Sequence, residues 1–582
     1  MYTYITKALS AILLVFTSIA ITFDSGIFIY SSLSNSLFFS IMTSLLALIA
    51  GIYAICNTGY RKACVCAYAV SLWGIYILLH SCYANGEYYR SLYLISGIIY
   101  LIALYSLIQM QIISITFIKN ILLGIAVIQL IFMIGQSLNI IDSYSKYFPV
   151  SGTNENPNVN AIFILCCIPI LIGKIKDSNR AWAYKVLLGC ILLFLFILQC
   201  RTAYIGGIVI LSVYFLSSKY IHRFRRKNNY IKKGLSLLLL CMVILFAGIY
   251  LYQIKKDSAD GRLFIWKLSA EMIKENPLRG YGYGLFERNY NLKQADYFSN
   301  QTSTTAEHRN ASFVSMAYND YLEEAIEGGI IGFLCYLGFF IVLGRLAIKQ
   351  KDIEALSIVS AVAVMALFNF IYAAITTWFL LLSYGGILLA ASNNRFSLPI
   401  TLKKVSAFTF CCIAILLLYH QCRVINAQIG LQKSISLIKK DQLEEAGSLL
   451  AQLLEQASTS EAFLTQYANS LARQKQYQEA IVVYQKATLY TSNPSLYYRM
   501  ANCYTHLSQY DDALRTLNTI AAIIPTNLRS RYQRMCLQRH IHDMEGAWQT
   551  AWEIINISPK VSNKKAEQYK EQAQKLLEYY NK

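Results

Sequence analysis

Three arginines lie in polar strings beside apolar segments, where a charged side chain is costly and therefore a candidate for function. They are Arg201, Arg262 and Arg279. A guanidinium group matches phosphate oxygens in two-point contacts, so these residues predict an anion-binding site. Two simpler interpretations stay open. Arg201 is then an interfacial residue whose side chain reaches lipid headgroups, and Arg262 an exposed residue at a helix start.

Three residues that follow these arginines have the chemistry of a general base. Histidine titrates near neutral pH, which favours His308, and Asp320 would serve if it were partly desolvated. Glu327 is a third candidate, although it also suits a role in orienting its loop or capping the next helix. The alternatives are a solvated His308 and an exposed Asp320 that a helix dipole favours near a helix start.

Glycines alternate with tyrosines in the string GYGYG, residues 280–284. The string is typical of a turn or of a close-packed loop. The string lacks the Lys-Ser/Thr ending of a phosphate-binding P-loop, so it does not predict a nucleotide site.

Composition indicates the setting of these residues. The chain has 582 residues, of which 56% are hydrophobic and 14% charged, against about 25% charged residues in soluble proteins. It therefore reads as a membrane protein with an all-α, polytopic helical bundle. A spanning helix needs about 20 apolar residues, and thirteen candidates are found: 8–30, 37–57, 64–83, 92–113, 116–138, 159–173, 183–200, 201–217, 234–252, 329–344, 353–373, 374–391 and 405–421.

The distribution of lysine and arginine predicts the orientation. One set of short loops carries most of these residues, including the run 218–233, and the opposite loops hold little more than Arg90, Lys146 and Arg201. By the positive-inside rule the basic loops face the cytoplasm, and the C-terminal part then lies on the periplasmic side. The net charge of +20 therefore predicts contact with anionic lipid headgroups through 218–233, and no nucleic acid partner.

Two segments on the predicted outer side are candidates for function. One is the loop 139–158, and the other is the polar stretch 253–328, which is far longer than an ordinary connection. Part of the long stretch has apolar residues at helical spacing up to Pro277. We expect this helix to lie on the membrane surface or to cap a cavity.

After about residue 423 the sequence becomes soluble and repetitive. Ala446, Ala480, Ala513 and Ala547 recur at intervals of 34, 33 and 34 residues. This is the spacing at which tetratricopeptide repeats place small packing residues. We therefore predict a membrane domain, 1–422, and an extracytoplasmic α-solenoid of these repeats, 423–582, which would bind a partner protein.

Taken in order, the strings around the long outer stretch resemble the O-antigen ligase superfamily, over about residues 150–391. That superfamily includes O-antigen ligases, related polymerases and bacterial protein O-oligosaccharyltransferases. The matching features are an arginine at a span start, Gly-Arg-x-x-x-Trp, Asn-Pro-x-x-Gly-x-Gly, Asn-Asp-Tyr-Leu, Glu-x-Gly-Ile-Ile-Gly and an Asn-Pro-Asn loop. The first residues of these features are, in the same order, Arg201, Gly261, Asn276, Asn319, Glu327 and Asn156.

The resemblance implies a glycosyltransferase at the periplasmic face of the bacterial inner membrane. Its donor is a glycan on undecaprenyl diphosphate, and its acceptor is a hydroxyl of lipid A core, of a protein or of another glycan. Neither a metal nor another cofactor is implied. Arg201, Arg262 and Arg279 would bind the donor diphosphate. The residues that would contact the glycan are Tyr281 and Tyr283, by stacking on sugar rings, together with Tyr318 and Asn319.

The identity of the base stays open, because the family's histidine before Asn-Asp has no counterpart here: Met316 and Tyr318 occupy the neighbouring positions. His308, Asp320 and Glu327 are the local substitutes. Two other functions also stay open. One is a polysaccharide polymerase of related architecture, and the other is a non-catalytic membrane scaffold or transporter that recruits partners through its repeats. A transporter is disfavoured because the sequence shows no convincing internal duplication.

Overall fold

The computed structural model describes residues 2–23, 31–57, 62–84, 86–177, 179, 181–217, 256–300, 303–393, 395–397, 399–559 and 563–580. Over these residues the chain is a helical membrane bundle followed by helical repeats, as predicted. The described segments contain one small antiparallel sheet, in which β1 (Lys62–Cys64) pairs with β2 (Arg395–Ser397). The predicted span 234–252 and the basic run 218–233 lie outside the described residues.

Nine helices of the described segments are long and apolar enough to cross a membrane, and three shorter apolar helices accompany them. Each of the predicted spans except 234–252 is therefore represented by at least one helix. In the first half of the chain these are α1 (Tyr2–Thr22), α2 (Ser31–Cys56), α3 (Val65–Tyr83), α4 (Tyr88–Gln109), α5 (Ile115–Ser137), α6 (Pro157–Cys166), α7 (Ile168–Asp177), α8 (Ala181–Leu198) and α9 (Arg201–Ser217).

The second half of the chain adds four helices outside the predicted spans and then completes the bundle. The four are α10 (Lys256–Glu275), α11 (Phe286–Asn300), α12 (Thr305–Asn310) and α13 (Asp320–Glu327). The bundle helices that follow are α14 (Gly329–Gln350), α15 (Ile353–Met365), α16 (Ile375–Ala390) and α17 (Ile400–Lys439).

Helix α16 forms the centre of the bundle, since every residue from Ile375 to Ala390 is buried. It packs along α4, where the Tyr100 hydroxyl and the Ser383 hydroxyl are hydrogen-bonded at 2.9 Å. Gly97 on α4 allows the close approach, because a Cβ atom there would lie 2.7 Å from the indole nitrogen of Trp378. Apolar residues around the whole circumference of α16 are what such a buried position requires.

The structure shows a break where the sequence predicted two abutting spans, 353–373 and 374–391. Residues 366–374 are not helical, so α15 ends at Met365 and α16 begins at Ile375. Irregular backbone at membrane depth is tolerated only where protein groups or a cavity satisfy it. Side chains from the outer helices supply such partners, as described below.

Alternate loops of the bundle gather on two sides. On one side the backbone N–H of Glu87, between α3 and α4, donates to the carbonyl of Tyr283 at 2.7 Å. The loop 139–156 and the break 366–374 border the same group of helices, α10–α13. The opposite side holds the β1–β2 pair and the bond from Lys174 Nζ to Asn120 Oδ1, 2.8 Å long. This grouping is the one that the predicted threading requires.

The described residues of the stretch 253–328 form a compact cap on the bundle. Its helices share a core of their own, in which Leu268, Phe286, Tyr290 and Ala317 are buried. The predicted amphipathic helix is α10, which begins at Lys256 and ends at Glu275, two residues before Pro277. Its buried residues face this core, so it lies in a folded cap.

The C-terminal part consists of paired helices, and the four periodic alanines, Ala446, Ala480, Ala513 and Ala547, are each fully buried. Small side chains let the two helices of a repeat approach closely. The helices are α18 (Leu443–Leu453), α19 (Glu461–Arg473), α20 (Tyr477–Ala487), α21 (Pro494–His506), α22 (Tyr510–Ile523), α23 (Leu528–His540), α24 (Met544–Asn556) and α25 (Lys564–Tyr580).

Helix α17 joins the bundle to the repeats without interruption. It runs for 40 residues, so the predicted domain boundary between residues 422 and 423 falls inside one helix. Its membrane half packs against α2, where the Ser44 hydroxyl donates to Gln421 Oε1 at 3.2 Å. Its last turns pack against α18, with Leu431 in a core shared with Leu450. A continuous helix restricts how the repeats can move relative to the bundle.

Candidate functional site

A cavity of about 1070 Å³ lies between the cap and the loop 139–158. Its wall combines polar and apolar side chains and includes three cations, Lys146, Arg262 and Arg309, with Glu155 as the carboxylate among the lining residues. Both outer segments singled out in the sequence therefore border one space. The remaining lining residues used below are Asn156, Asn158, Gln294, Ser312, Val314, Tyr318 and Asn369.

Two buried glutamines of α5 fix the loop that carries Glu155. Gln136 Oε1 accepts the backbone N–H groups of Ser151 and Gly152 at 2.9 and 2.8 Å. Gln129 Oε1 accepts from the backbone N–H of Thr153 at 3.1 Å. Gly152 has a φ of +72°, a conformation that favours glycine. Because these buried amides must be paired, the loop has one defined position at the cavity wall.

The end of this loop starts α6 in a way that its sequence explains. Asn156 is the N-cap, and its side-chain oxygen accepts from the backbone N–H of Asn158 at 3.0 Å. Pro157 occupies the first turn, where the missing N–H is not needed. Asn156 and Asn158 line the cavity, so the Asn-Pro-Asn string is at once a helix start and part of the wall.

Arg262 lies in the second turn of α10 and is half-buried at the cavity wall. Its Nη1 donates to the carbonyl of Phe368 at 2.7 Å, in the break between α15 and α16. Its guanidinium carbon is 4.8 Å from the ring centroid of Tyr318. Burial lowers the pKa of Arg262 from its ordinary value, and the charge of Arg201 at the start of α9 lowers it further. Arg201 therefore lies within electrostatic range of Arg262.

Tyr318 and Asn319 lead from the cavity into α13. Tyr318 has a φ of +54°, in the left-handed region that a bulky residue adopts only when its surroundings require it. Asn319 is the N-cap of α13, and its side-chain oxygen accepts from the backbone N–H groups of Tyr321 and Leu322 at 3.0 and 3.1 Å. The Asn319 side chain thus caps the start of α13, whereas the Tyr318 ring lies at the cavity wall.

Asp320 is fully buried and supports the break 366–374. Its Oδ2 accepts from the Tyr336 hydroxyl at 3.1 Å and from the backbone N–H of Ile371 at 2.8 Å. Its own N–H donates to the carbonyl of Ala366 at 2.9 Å. Burial raises the pKa of Asp320 well above its usual range, and the charge of Glu323 adds to this effect. The predicted alternative of an exposed acid is wrong, because the side chain is enclosed by protein.

Arg90 on α4 is the cation that faces the acidic side of α13. Its Nη2 is 3.1 Å from Glu323 Oε1, and its Nε is 3.9 Å from Glu327 Oε2. Its guanidinium carbon also lies 4.2 Å from the ring centroid of Tyr372. Burial raises the pKa of Glu327 to about 8, although the charge of Arg90 opposes the shift. The ion pair between Arg90 and Glu323 therefore connects the bundle helix α4 to the cap helix α13.

The glycine–tyrosine string 280–284 packs against the C-terminal end of α13. At Gly280, φ is +63° and a Cβ atom would lie 2.5 Å from the carbonyl oxygen of Glu327, so only glycine fits. Glu327 Oε1 in turn accepts from the N–H of Gly284 at 3.0 Å. The hydroxyl groups of Tyr281 and Tyr283 donate to Glu275 and Glu324, respectively, each at 3.1 Å.

The structure thus places Arg262 and Tyr318 at the cavity wall, with Arg201 in electrostatic range of Arg262, and separates other predicted residues from them. Arg279 is exposed, and its guanidinium carbon lies 5.8 Å from the ring centroid of Tyr83 on α3. His308 is also exposed, with its Nε2 2.6 Å from the Ser303 hydroxyl and its ring against Phe298.

Several wall residues were not singled out in the sequence. Arg309 follows the predicted His308, and Glu155 lies in the loop 139–158 that the sequence singled out, just before its Asn-Pro-Asn string. Asn369 lies in the break between α15 and α16, where the sequence predicted two spans with no residues between them. Gln294 lies on α11, and nothing in the sequence distinguishes it from an ordinary residue on the polar face of a helix.

Comparison with known proteins agrees with the two-part organisation. Residues 186–337 match the family model described as O-Antigen ligase, and residues 471–537 match a tetratricopeptide repeat model. The chain therefore contains a segment similar to the O-antigen ligase family and C-terminal tetratricopeptide repeats, and the predicted combination is confirmed. The first match includes Arg201, Arg262 and the whole cap.

Two solved structures give distant similarities. The MamA RS-1 ArsTM double mutant is 19% identical over 27% of this chain and 96% of its own, with a TM-score of 0.22. The APC/C hetero-tetramer Cut9-Hcn1 is 11% identical over 93% of this chain and 89% of its own, also with a TM-score of 0.22. At these scores neither supports an argument about the fold. No curated protein matches the chain significantly.

Proposed function

We propose that the protein transfers a glycan from undecaprenyl diphosphate to an acceptor hydroxyl on the periplasmic side of the bacterial inner membrane. The observation that carries the proposal is Arg262. It lines the large cavity together with Lys146 and Arg309, and the charge of Arg201 lowers its pKa. These positive charges would attract and stabilise a bound polyanion.

A diphosphate leaving group suits this arrangement. The guanidinium groups of Arg201 and Arg262 would bind its oxygens in two-point contacts and stabilise the charge that grows on the departing oxygen. Arg309, at the same wall, supplies a further cation. Arg279 lies beside Tyr83, so we assign it no contact with the diphosphate in this arrangement. Protein cations supply the charge, and the proposed step needs no metal or cofactor.

In the proposed reaction the acceptor hydroxyl oxygen attacks the reducing-end anomeric carbon. The bond from that carbon to the diphosphate oxygen breaks, its electron pair goes to the lipid diphosphate, and the hydroxyl proton goes to a base. Glu155 is the carboxylate of the cavity lining, which makes it a candidate alongside the sequence candidates His308, Asp320 and Glu327. Asp320 and Glu327 instead accept backbone N–H groups, which favours a supporting role for both.

The proposed location rests on charge and on the grouping of loops. Basic residues such as Lys174, Lys349 and Lys351 lie at helix ends on the side opposite the cap. By the positive-inside rule that side faces the cytoplasm, so the cap, the cavity and the repeats would face the periplasm. A lipid-linked glycan would then reach the cavity from the outer leaflet.

The acceptor decides between a ligase and a polymerase. A ligase would use lipid A core or a protein, whereas a polymerase would use a second lipid-linked glycan. The tetratricopeptide repeats would bind the acceptor or a protein of the assembly pathway. Glycan profiling of a deletion strain distinguishes these cases: loss of long chains with single units still attached would identify a polymerase.

Transfer from a lipid-linked oligosaccharide in membranes tests the proposal. We expect Arg201→Ala and Arg262→Ala each to lower the transfer rate by about a hundredfold, the loss typical of removing one group that stabilises transition-state charge. Lys274→Ala is the matched control, since Lys274 is exposed on the last turn of the same helix as Arg262. Full activity of both arginine variants would refute the mechanism.

A further inference from the structure

Helix α11 holds one wall of the cavity. The side-chain amide of Asn291 donates to the carbonyl of Val314 at 2.8 Å and its oxygen accepts from the N–H of Val314 at 3.0 Å. Nε2 of Gln294 donates to the carbonyl of Ser312 at 3.0 Å. Ser312 and Val314 line the cavity in a segment, 311–317, that is neither helix nor strand. Its position therefore depends on these side chains.

The same helix is bound to the repeats. Glu287 accepts from the Thr491 hydroxyl at 2.8 Å and from the backbone N–H of Ser492 at 2.9 Å, in the connection between α20 and α21. Nε of Arg288 donates to the carbonyl of Thr488 at 2.7 Å. Ala295 is part of the repeats' own hydrophobic core. Thus α11 packs against the repeats as an additional helix.

Gln294 contacts both the cavity-wall segment 311–317 and the repeats. Its Nε2 donates to the carbonyl of Ile523, the last residue of α22, at 2.7 Å, and also to the carbonyl of Ser312. Its Oε1 accepts from the Tyr290 hydroxyl at 3.3 Å, and the residue is fully buried. A buried amide with each of its groups engaged allows little movement of one partner without the other.

We propose that the repeats are a structural part of the transfer site, because they hold the wall segment 311–318 through α11, with Glu287 and Gln294 as positioning residues. The inference rests on the proposed function. Segment 311–317 leads directly to Tyr318, whose ring lies against Arg262. A displacement of about 1 Å at a reacting site lowers rates by about a hundredfold.

The proposal differs from recruitment alone in what it requires of the repeats. A module that only recruits a partner has no effect on transfer to a small acceptor that needs no recruitment. A module that holds the cavity wall affects kcat for every acceptor, including the smallest.

The test uses the full-length protein in nanodiscs with Glu287→Ala, Ser492→Ala, the double variant and Gln294→Leu. We expect Glu287→Ala and Gln294→Leu to lower kcat for a small acceptor by about tenfold or more, with a smaller change in the KM for the donor. The Ser492 hydroxyl also donates to Glu287 Oε1, at 2.5 Å. The double variant should therefore lose no more than Glu287→Ala alone, because that contact is already absent when Glu287 is replaced. Arg515→Ala is the control, since Arg515 is 76% exposed on α22 and its ion pair is with Asp512 of the same helix.

Hydrogen–deuterium exchange of residues 311–318 provides a readout without activity. We expect faster exchange there in Glu287→Ala and Gln294→Leu and unchanged exchange in Arg515→Ala. Wild-type kcat in both variants, or unchanged exchange of this segment, would overturn the inference. Absence of transfer by the wild-type protein would instead overturn the proposed function, and the exchange measurement would still decide whether the repeats hold the wall.

Discussion

The guanidinium carbon of Arg262, in α10, lies 4.8 Å from the ring centroid of Tyr318, in the segment that precedes α13. Tyr318 reaches this position through a left-handed backbone conformation, with a φ of +54°. Such strain persists only where the surrounding structure enforces it, and it is concentrated at functional sites. The pair therefore connects the predicted anion site to the backbone that enters α13.

Substitution of Tyr318 separates the role of its ring from that of its hydroxyl. An aromatic face near an arginine contributes about 0.5–2 kcal/mol. We expect Tyr318→Ala to lower the transfer rate by roughly two- to thirtyfold, with Arg262 less well positioned, whereas Tyr318→Phe keeps most of the rate. Equal rates for the two variants in a membrane transfer assay would show that the ring does not support Arg262.

Asp320 offers a choice between catalysis and support. Its carboxyl accepts the N–H of Ile371 and the hydroxyl of Tyr336, and burial raises its pKa well above the usual range. We expect Asp320→Asn to keep both the thermal midpoint and most of the transfer rate. Asp320→Ala should destabilise the protein by about 1–3 kcal/mol because buried donors lose their acceptor. Complete loss of transfer in a fully folded Asp320→Asn protein would instead identify Asp320 as the base.

The fold could be predicted from local signals. Apolar stretches of spanning length gave the bundle, and α9 and α16 are the helices expected at 201–217 and 374–391. The alanine spacing gave the repeats, since Ala480 and Ala513 are fully buried as expected. Both patterns succeed because burial of one helix face constrains residues a few positions or one repeat apart.

The contacts within the site could not be predicted in the same way. Arg90 pairs with Glu323, more than two hundred residues later, and no local pattern records such a partner. Alternating glycines and tyrosines fitted either a turn or a sugar platform, and only the packed backbone shows Tyr283 bonded to Glu324. Gln294 reads as an ordinary polar residue until the repeats fold against it.

Arg90 provides a stability prediction. It is the cation paired with Glu323 and close to Glu327, and its side chain is 17% exposed. Removing one partner of a buried pair costs about 3–5 kcal/mol, because the other charge remains buried. We expect Arg90→Met to lower the thermal midpoint in detergent strongly, and Arg345→Met, at the other end of the bundle, to have little effect. A similar midpoint for the two variants would show that the pair does not hold the cap.

The junction between bundle, cap and repeats should respond to pH. Burial raises the pKa of Glu87 to about 7, with the charge of Glu461 adding to the shift, that of Arg90 opposing it and that of Glu287 adding to it. Burial also raises the pKa of Glu461 to about 7, and the charge of Glu287 contributes. Each carboxyl thus binds its proton more tightly in the folded chain than in the unfolded chain.

Because these pKa values are raised, the stability that they contribute is complete below about pH 4.5, the ordinary value, and is lost as the pH rises to about 7. We expect the thermal midpoint to fall across this window, and Glu461→Gln, which stays neutral, to reduce the fall. Glu479→Gln is the control, since Glu479 is exposed on α20. A pH profile of Glu461→Gln as steep as that of the wild type would show that this junction does not titrate as the buried carboxyls require.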